Sequence, residues 1–237
     1  MILKNNQIFL AYKASLKKYL PDHKSKHWRI NYKKKKELLS LNYLDNFRNN
    51  KFSDGLDVKS YGKEYQKKLF YKLIKSCGKD FVYKNLLKKN IGNLKSYGKF
   101  KNKFFDNNQF YSIKWLHTIL EITKKQKINY ICEIGGGYGC FAEKLIKKFN
   151  CKYIMIDLPE ANILSSFYLS RHFPNKKIFI YNKHIDKLNK KIFDRYDIFI
   201  IPPWVKLDRV KVDLFINTRS FMEMNFDVIK SYFKLIQ

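Results

Sequence analysis

The stretch that most constrains what this chain can fold into is Asn129–Gly139, which reads N-Y-I-C-E-I-G-G-G-Y-G. Tyr130, Ile131 and Ile134 make a short apolar run that carries one acidic residue, Glu133, and then breaks into glycines at 135, 136, 137 and 139. Phe141, Leu145, Ile146 and Phe149 follow at helical spacing. Strand, glycine turn and helix in that order let a backbone come close to a nucleotide-type ligand.

The chain beyond this point alternates strand-like and helix-like segments. Strands are expected at 129–134, 152–157, 177–181, 197–202 and 212–217, with helices at 140–149, at 160–172 and after 226. Such alternation, with apolar strands, predicts a doubly wound α/β sheet. Ligands of these sheets bind outside the carboxyl ends of the strands, beside the point where strand order reverses. Gly135–Gly139, Asp157 and Asn217–Glu223 all fall at such ends.

Upstream the period is helical. Helices are expected at 5–20 (stopped by Pro21), 32–47, 60–76, 80–89 and 108–125, with a turn at 52–57 and a polar loop at 93–107. The expected organisation is therefore a Lys-rich helical region over 1–107 and a Rossmann-like domain over 108–237. His23 and His27 stand four apart but have no carboxylate or cysteine beside them, so no metal site is expected.

Hydrophobic content of 45% with 17% aromatic residues excludes global disorder, and no apolar run reaches the roughly 18 residues of a membrane span. The N-terminus lacks the apolar core of a signal peptide. Cys77, Cys132, Cys140 and Cys151 form no C-x-x-C pair and read as free thiols of a cytoplasmic protein. The net charge of +29 is uneven: residues 1–128 hold 31 basic and 9 acidic residues, residues 129–237 hold 18 and 11. Only six of the basic residues are arginine, and abundant Lys, Asn, Ile, Phe and Tyr are what AT-rich codon usage produces. The basic half reads either as solvated helix faces or as an arm for nucleic acid, anionic lipid or an acidic glycan.

The glycine turn narrows the ligand. A dinucleotide fingerprint, G-x-G-x-x-G, fails because its third glycine position holds Cys140, and no phosphate-binding G-x-x-x-x-G-K-S/T is present. What the chain offers is Glu133-x-Gly135-x-Gly137-x-Gly139. A carboxylate inside the motif repels a pyrophosphate and suits a cationic ligand with an amino group and no phosphate; S-adenosylmethionine is such a ligand. Asp157, 18 residues after Gly139, is placed to accept both hydroxyls of a ribose. The competing reading is a glycine turn that merely permits tight helix–strand packing.

Three segments together resemble a bacterial sugar O-methyltransferase family within the class I S-adenosylmethionine-dependent methyltransferases. They are C-E-I-G-G-G-Y-G, then Y-I-M-I-D-L-P-E with the helix around Tyr168-Leu169, then D-L-F-I-N-T-R-S-F-M-E-M. The resemblance covers about 90–237. It implies methyl transfer from S-adenosylmethionine to a sugar hydroxyl in glycan or surface-polysaccharide biosynthesis. Glu133, Gly135, Gly136, Gly137 and Gly139 would then line the methionine and ribose side, with Asp157 on the ribose and Leu158 near the adenine.

For catalysis, a sugar hydroxyl benefits from a general base within hydrogen-bond reach. Glu223 is the first candidate, with Ser220 and Asn217 orienting and Arg219 on the substrate; the competing role for Glu223 is a cap or ion pair of the following helix. Related O-methyltransferases carry a histidine where this chain has Met222, and His172 and His184 are the alternatives elsewhere. Ile201-Pro202-Pro203-Trp204 resembles the N-P-P-aromatic motif of amino-group methyltransferases, but Ile201 lacks the hydrogen-bond acceptor of that motif. Trp204 remains a candidate for stacking on a sugar or base, and nucleic acid remains the alternative acceptor. A class I core normally has seven strands, so the C-terminal strands are expected to be missing. On that reading a partner or a second copy covers the open sheet edge, or the chain is a catalytically incomplete S-adenosylmethionine-binding subunit or a truncated gene product.

Overall fold

Three apolar runs, 130–134, 152–156 and 198–201, are buried almost from end to end, which is the condition of parallel strands covered on both faces. They form the middle of the sheet in a computed structural model that describes residues 3–18, 39–49, 62–94, 98–100, 102–124, 126–182 and 184–236. The expected helix at 32–47 lies partly outside these residues, and Pro21, the His23/His27 pair and the turn at 52–57 lie wholly outside them.

In chain order the helical part comprises α1 (Asn5–Lys17), α2 (Leu41–Asp45), a 3₁₀ turn (Phe47–Asn49), α3 (Lys63–Cys77) and α4 (Lys79–Asn85). A short antiparallel hairpin, β1 (Gly98–Phe100) and β2 (Lys103–Phe105), stands where a polar loop was expected, and α5 (Asn107–Ile122) follows. The second part runs β3 (Tyr130–Ile134), α6 (Cys140–Phe149), β4 (Lys152–Ile156), α7 (Pro159–His172), β5 (Ile178–Ile180), β6 (Lys187–Leu188), α8 (Lys190–Arg195), β7 (Ile198–Ile201), β8 (Lys206–Leu207), β9 (Leu214–Ile216), a 3₁₀ turn (Ser220–Glu223) and α9 (Phe226–Ile236).

The five strands of the main sheet are all parallel, in the order β5-β7-β4-β3-β9. The chain steps outward from β3 to β4 and returns to place β9 on the other side of β3. The reversal therefore lies between β3 and β9, so the glycine turn after β3 and residues 217–223 after β9 flank the reversal point. The segment at 212–217 is thus the neighbour of the first sheet strand. Strand parity divides the core: Ile131, Tyr153, Met155, Ile198 and Ile200 join α5, α6, α7 and also α1 on one face, while Cys132, Ile154, Ile156, Phe199 and Ile201 meet Phe193 of α8 and Tyr232 of α9 on the other. All four cysteines are free and buried.

Polar side chains fix the ends of these elements. Asp106 caps α5 by accepting from Gln109 N at 2.8 Å. Asp213 accepts from the N–H groups of Asn129 and Tyr130 at 2.8 and 3.0 Å, which pins the approach to β9 against the start of β3. Lys152 Nζ donates to the carbonyls of Phe193, Asp194 and Tyr196 at the end of α8. No helix among the described residues is long and apolar enough to cross a membrane.

Candidate functional site

The chain leaves β3 at Ile134 and turns through four glycines into α6. Gly135, Gly137 and Gly139 all have positive φ, at 76°, 60° and 91°. Gly135 is doubly constrained, because a Cβ there would also overlap the Ser220 side chain. Gly136 has room for no side chain either: a Cβ would lie 2.6 Å from Glu133 Oε2 and 2.5 Å from Met155 Sδ. The turn is packed from below by Glu133 and from the side by the turn after β9.

The N–H groups of the turn are largely directed inward. Gly135 N donates to Ile156 O at 2.9 Å, Gly139 N to Gly136 O at 3.1 Å, and Gly137 N to Asp157 Oδ2 at 2.7 Å. A phosphate nest needs consecutive N–H groups aimed outward at the anion. Here three of the five residues from Gly135 to Gly139 have already given theirs away.

Asp157, at the carboxyl end of β4, is half-buried and closes the turn. Its Oδ2 accepts from Gly137 and its Oδ1 from Leu158 N at 2.7 Å, while Asn162 Nδ2 holds its carbonyl at 2.8 Å. Each carboxylate oxygen keeps a further lone-pair direction for a ligand hydroxyl. Burial pushes the Asp157 carboxyl up to about 7, against the two backbone donors, and the charges of Glu160 and Glu223 push the same way. Leu158, half-buried, is the residue before Pro159 at the start of α7.

Glu133 is 1% exposed and lies beneath the turn, accepting from Tyr153 OH at 2.7 Å. Its carboxyl is raised to about 7 by burial, opposed by the Tyr153 hydrogen bond and reinforced by the Asp157 charge. The carboxylates here are linked through Asp157: its charge raises Glu133, and the charges of Glu160 and Glu223 raise Asp157. Among the described residues, no group of three or more His, Cys, Asp or Glu side chains is arranged to hold a metal ion.

Across the reversal point, Asn217 and Ser220 are committed to the scaffold. Asn217 Nδ2 donates to Ile134 O at 2.9 Å and to Ser220 Oγ at 2.6 Å; Ser220 Oγ donates to Ile134 O at 3.1 Å; Phe221 N donates to Asn217 Oδ1 at 3.3 Å. These two side chains tie the turn after β9 to the end of β3. Glu223, at the end of the 3₁₀ turn, is exposed. Arg219 is exposed and holds its guanidinium 5.8 Å from the ring centroid of Tyr111 on α5.

Trp204 lies elsewhere on the same strand-end surface. The Asp157 N–H to Ile201 C=O bond, at 3.2 Å, carries the end of β7 alongside Asp157, and Trp204 then packs edge-on against Tyr181 with ring centroids 6.0 Å apart. His172 closes α7, at its far end from Asp157, with its ring 4.4 Å from that of Tyr168, and burial lowers it to about 4. His184 is exposed in the loop after β5.

Three residues of the site were not singled out by sequence reasoning. Tyr153 was findable: in the parallel register it stands opposite Ile131, on the same sheet face as Glu133. Tyr111 and Arg48 come from segments far away in sequence, and nothing local marks them. Arg48 forms a buried ion pair with Asp106, and its guanidinium lies 5.7 Å from the ring of Tyr138 inside the glycine turn. The Tyr138 ring also meets Phe47 at 5.3 Å and Tyr168 at 5.0 Å.

No protein-family model, no curated protein and no solved structure matches this chain.

Proposed function

We propose that this chain is an S-adenosylmethionine-dependent methyltransferase with a Rossmann-like class I core, acting on a sugar hydroxyl. The observation that carries the reading is the set of carboxylates at the strand reversal. In a chain of net charge +29, Glu133 and Asp157 both touch one glycine turn whose N–H groups point mostly inward, and the charges of Glu160 and Glu223 act on Asp157. That environment favours a cation over a pyrophosphate. The unused lone pairs of Asp157 suit a ribose diol, and the carboxylates around it suit a ligand with a positively charged end.

When bound, S-adenosylmethionine supplies an electrophilic methyl group on a sulfonium. Asp157 accepts the ribose hydroxyls, and the glycine turn lets the backbone come close to the ligand. Leu158 and Pro203, both half-buried at the ends of β4 and β7, would offer apolar surface on the nucleoside side. Glu223 would take the proton of the acceptor hydroxyl, leaving the oxygen free to accept the methyl group that the bound cofactor would supply. Arg219, above Tyr111, is the acceptor contact. Asn217 and Ser220 act as positioning residues that hold the turn carrying Glu223 against the end of β3.

The amino-group alternative draws no support from Ile201–Trp204, because Trp204 rests on Tyr181 and Ile201 has no side-chain acceptor. The test has two stages. Calorimetry with S-adenosylmethionine should show one site per chain; no binding would sink the reading outright. Transfer of labelled methyl to nucleotide-sugars and glycans should follow, with Glu223→Gln lowering kcat by about 10²-fold or more while the S-adenosylmethionine Kd stays unchanged. Binding without transfer to any sugar would instead favour a subunit that needs a partner, and transfer to RNA would favour the nucleic-acid reading.

A further inference from the structure

The positive charge of the molecule has a specific location. Residues 62–94, all described, hold nine lysines against two carboxylates, Glu64 and Asp80. Residues 129–237 of the same chain hold fourteen lysines against eleven carboxylates. Codon usage acts on both stretches alike, so it does not account for the difference.

Helix α3 shows how that charge is presented. Gln66, Phe70, Leu73 and Cys77 turn inward, Phe70 packing with Phe105 of β2 and Phe110 of α5. The rest of the helix surface carries Lys63, Lys67, Lys68, Lys72 and Lys75 with one carboxylate, Glu64, all exposed, and between the lysines Tyr65 and Tyr71, 47% and 59% exposed. Lys68 and Lys72 stand one turn apart, Tyr65 lies one turn before Lys68, and Tyr71 and Lys75 share the adjoining stripe. Among the described residues no lysine of α3 or α4 is ion-paired. A helix of this length presents about 22 Å of such surface. Like charges at these spacings repel one another and oppose the helix, so the surface is stabilised by whatever anion spreads over it.

We propose that this face of α3 binds an acidic glycan chain, and that the acceptor of the methyl group is therefore a polyanionic polysaccharide and not a neutral sugar. The substrate assignment rests on the methyltransferase reading; the binding face does not. Lysines supply point charges that follow a flexible chain of carboxylates, and the exposed tyrosine rings supply flat apolar surface with a polar edge for sugar rings. Nucleic acid is the less suited polyanion, because no arginine occurs between Arg48 and Arg171 to provide the planar fork that pairs with phosphates and stacks on bases. Helix α3 packs by its inward face on α5, which carries the Tyr111 ring beneath Arg219, so the lysine face lies one helix layer out from the proposed chemistry.

The test uses the full chain and three probes: an oligouronide, neutral dextran and single-stranded poly-U, each titrated at two salt concentrations. The oligouronide should bind with an affinity that falls steeply with salt, and dextran should not bind. The variant K67Q/K68Q/K72Q/K75Q should weaken oligouronide binding about tenfold and flatten its salt dependence. The control K147Q/K148Q/K190Q/K191Q removes the same charge elsewhere and should change binding less than about twofold. Y65A/Y71A should weaken binding about threefold with the salt slope unchanged. The proposal is overturned if both lysine variants lose equally, if poly-U binds the α3 face more tightly than the oligouronide, or if dextran binds as well. Calorimetry on the same preparations separates the two readings. Oligouronide bound at α3 without any S-adenosylmethionine binding leaves the face standing and removes the methyltransferase.

Discussion

Glu133 and Asp157 carry the pH dependence of the site, and its sign follows from their surroundings. Both carboxyls are raised to about 7, from ordinary values of 4.5 and 3.8, chiefly by burial. A carboxyl raised in the folded state favours folding below its unfolded pKa, and that contribution is lost as pH rises through the folded value. These two carboxyls therefore lower the stability of the ligand-free protein between about pH 4 and 7. His172, lowered to about 4 by burial, acts the other way over the same range, so Tm should fall by less than the two carboxyls alone would give. A cationic ligand reverses the preference because it stabilises the ionised carboxylates. S-adenosylmethionine affinity should rise between pH 6 and 8 with proton release on binding near pH 7, seen as a dependence of calorimetric enthalpy on buffer ionisation. Uptake of protons would contradict this electrostatic picture. At Gly135, where a side chain overlaps Ser220 and φ is 76°, alanine should destabilise the fold by about 2 kcal/mol or more. Ser220→Gly in the same chain should recover the overlap part and leave the backbone part, so a double-mutant cycle should read a clear coupling; strict additivity would mean that the two residues do not meet.

At the scale of elements, the helical part reaches the glycine turn through the Phe47–Asn49 turn. Arg48 pairs with Asp106, which caps α5, and Gln109 in that first turn of α5 donates to Cys140 Sγ at 3.0 Å, directly after Gly139. Phe47 and Arg48 also fill the space at Gly92, where a Cβ would overlap both. Removing one member of a buried ion pair leaves the other charge stranded, so Arg48→Ala should destabilise by about 3–5 kcal/mol. The double substitution R48M/D106N keeps the helix cap and removes both charges, and should stay within about 1.5 kcal/mol of the parent. Its S-adenosylmethionine Kd should nonetheless rise severalfold, because Tyr138 has lost the cation that holds it. A parent-like Tm together with a parent-like Kd would show the pair to be scaffold only. None of this was legible locally, since Arg48 and Asp106 lie 58 positions apart in a lysine-rich background. The strands were legible for a physical reason: burial on both faces demands continuous apolar runs such as I-F-I-I at 198–201. The hairpin at 98–105 was not, because its strands are three residues each and mix Lys with Phe. The glycine turn announced a close approach, but only the fold showed that Ser220 and Glu133 are what approach it.

At the scale of the whole molecule, α7 explains why helices from the first part and strands from the second share one core. Pro159 to Ser170 are all buried, although this stretch holds Glu160, Asn162 and three serines. Two of those serines satisfy themselves within the helix, Ser165 Oγ donating to Asn162 O at 3.1 Å and Ser170 Oγ to Phe167 O at 3.0 Å. Composition of this kind reads as a half-exposed helix; its burial follows from the sheet on one side and α1 on the other, where Ile8 and Tyr12 are 1% and 2% exposed. Helix α1 is therefore a structural layer over α7, and the sheet face beneath α7 depends on it. Tyr12→Ala opens a cavity between α1 and α7 and should destabilise by about 3 kcal/mol, lowering Tm by about 10 °C. Because Ile8, Tyr12, Leu44 and Phe47 belong to the same cluster as Ile131, Tyr153 and Ile200, helix and sheet signals should fall together in one thermal transition. Two transitions, with the sheet's midpoint unmoved by Tyr12→Ala, would show instead that the helical part folds by itself and merely rests against α7. A single shifted transition would mean that any ligand bound at the glycine turn also stabilises α1, so S-adenosylmethionine should raise the Tm of the Tyr12→Ala variant by about as much as it raises that of the parent.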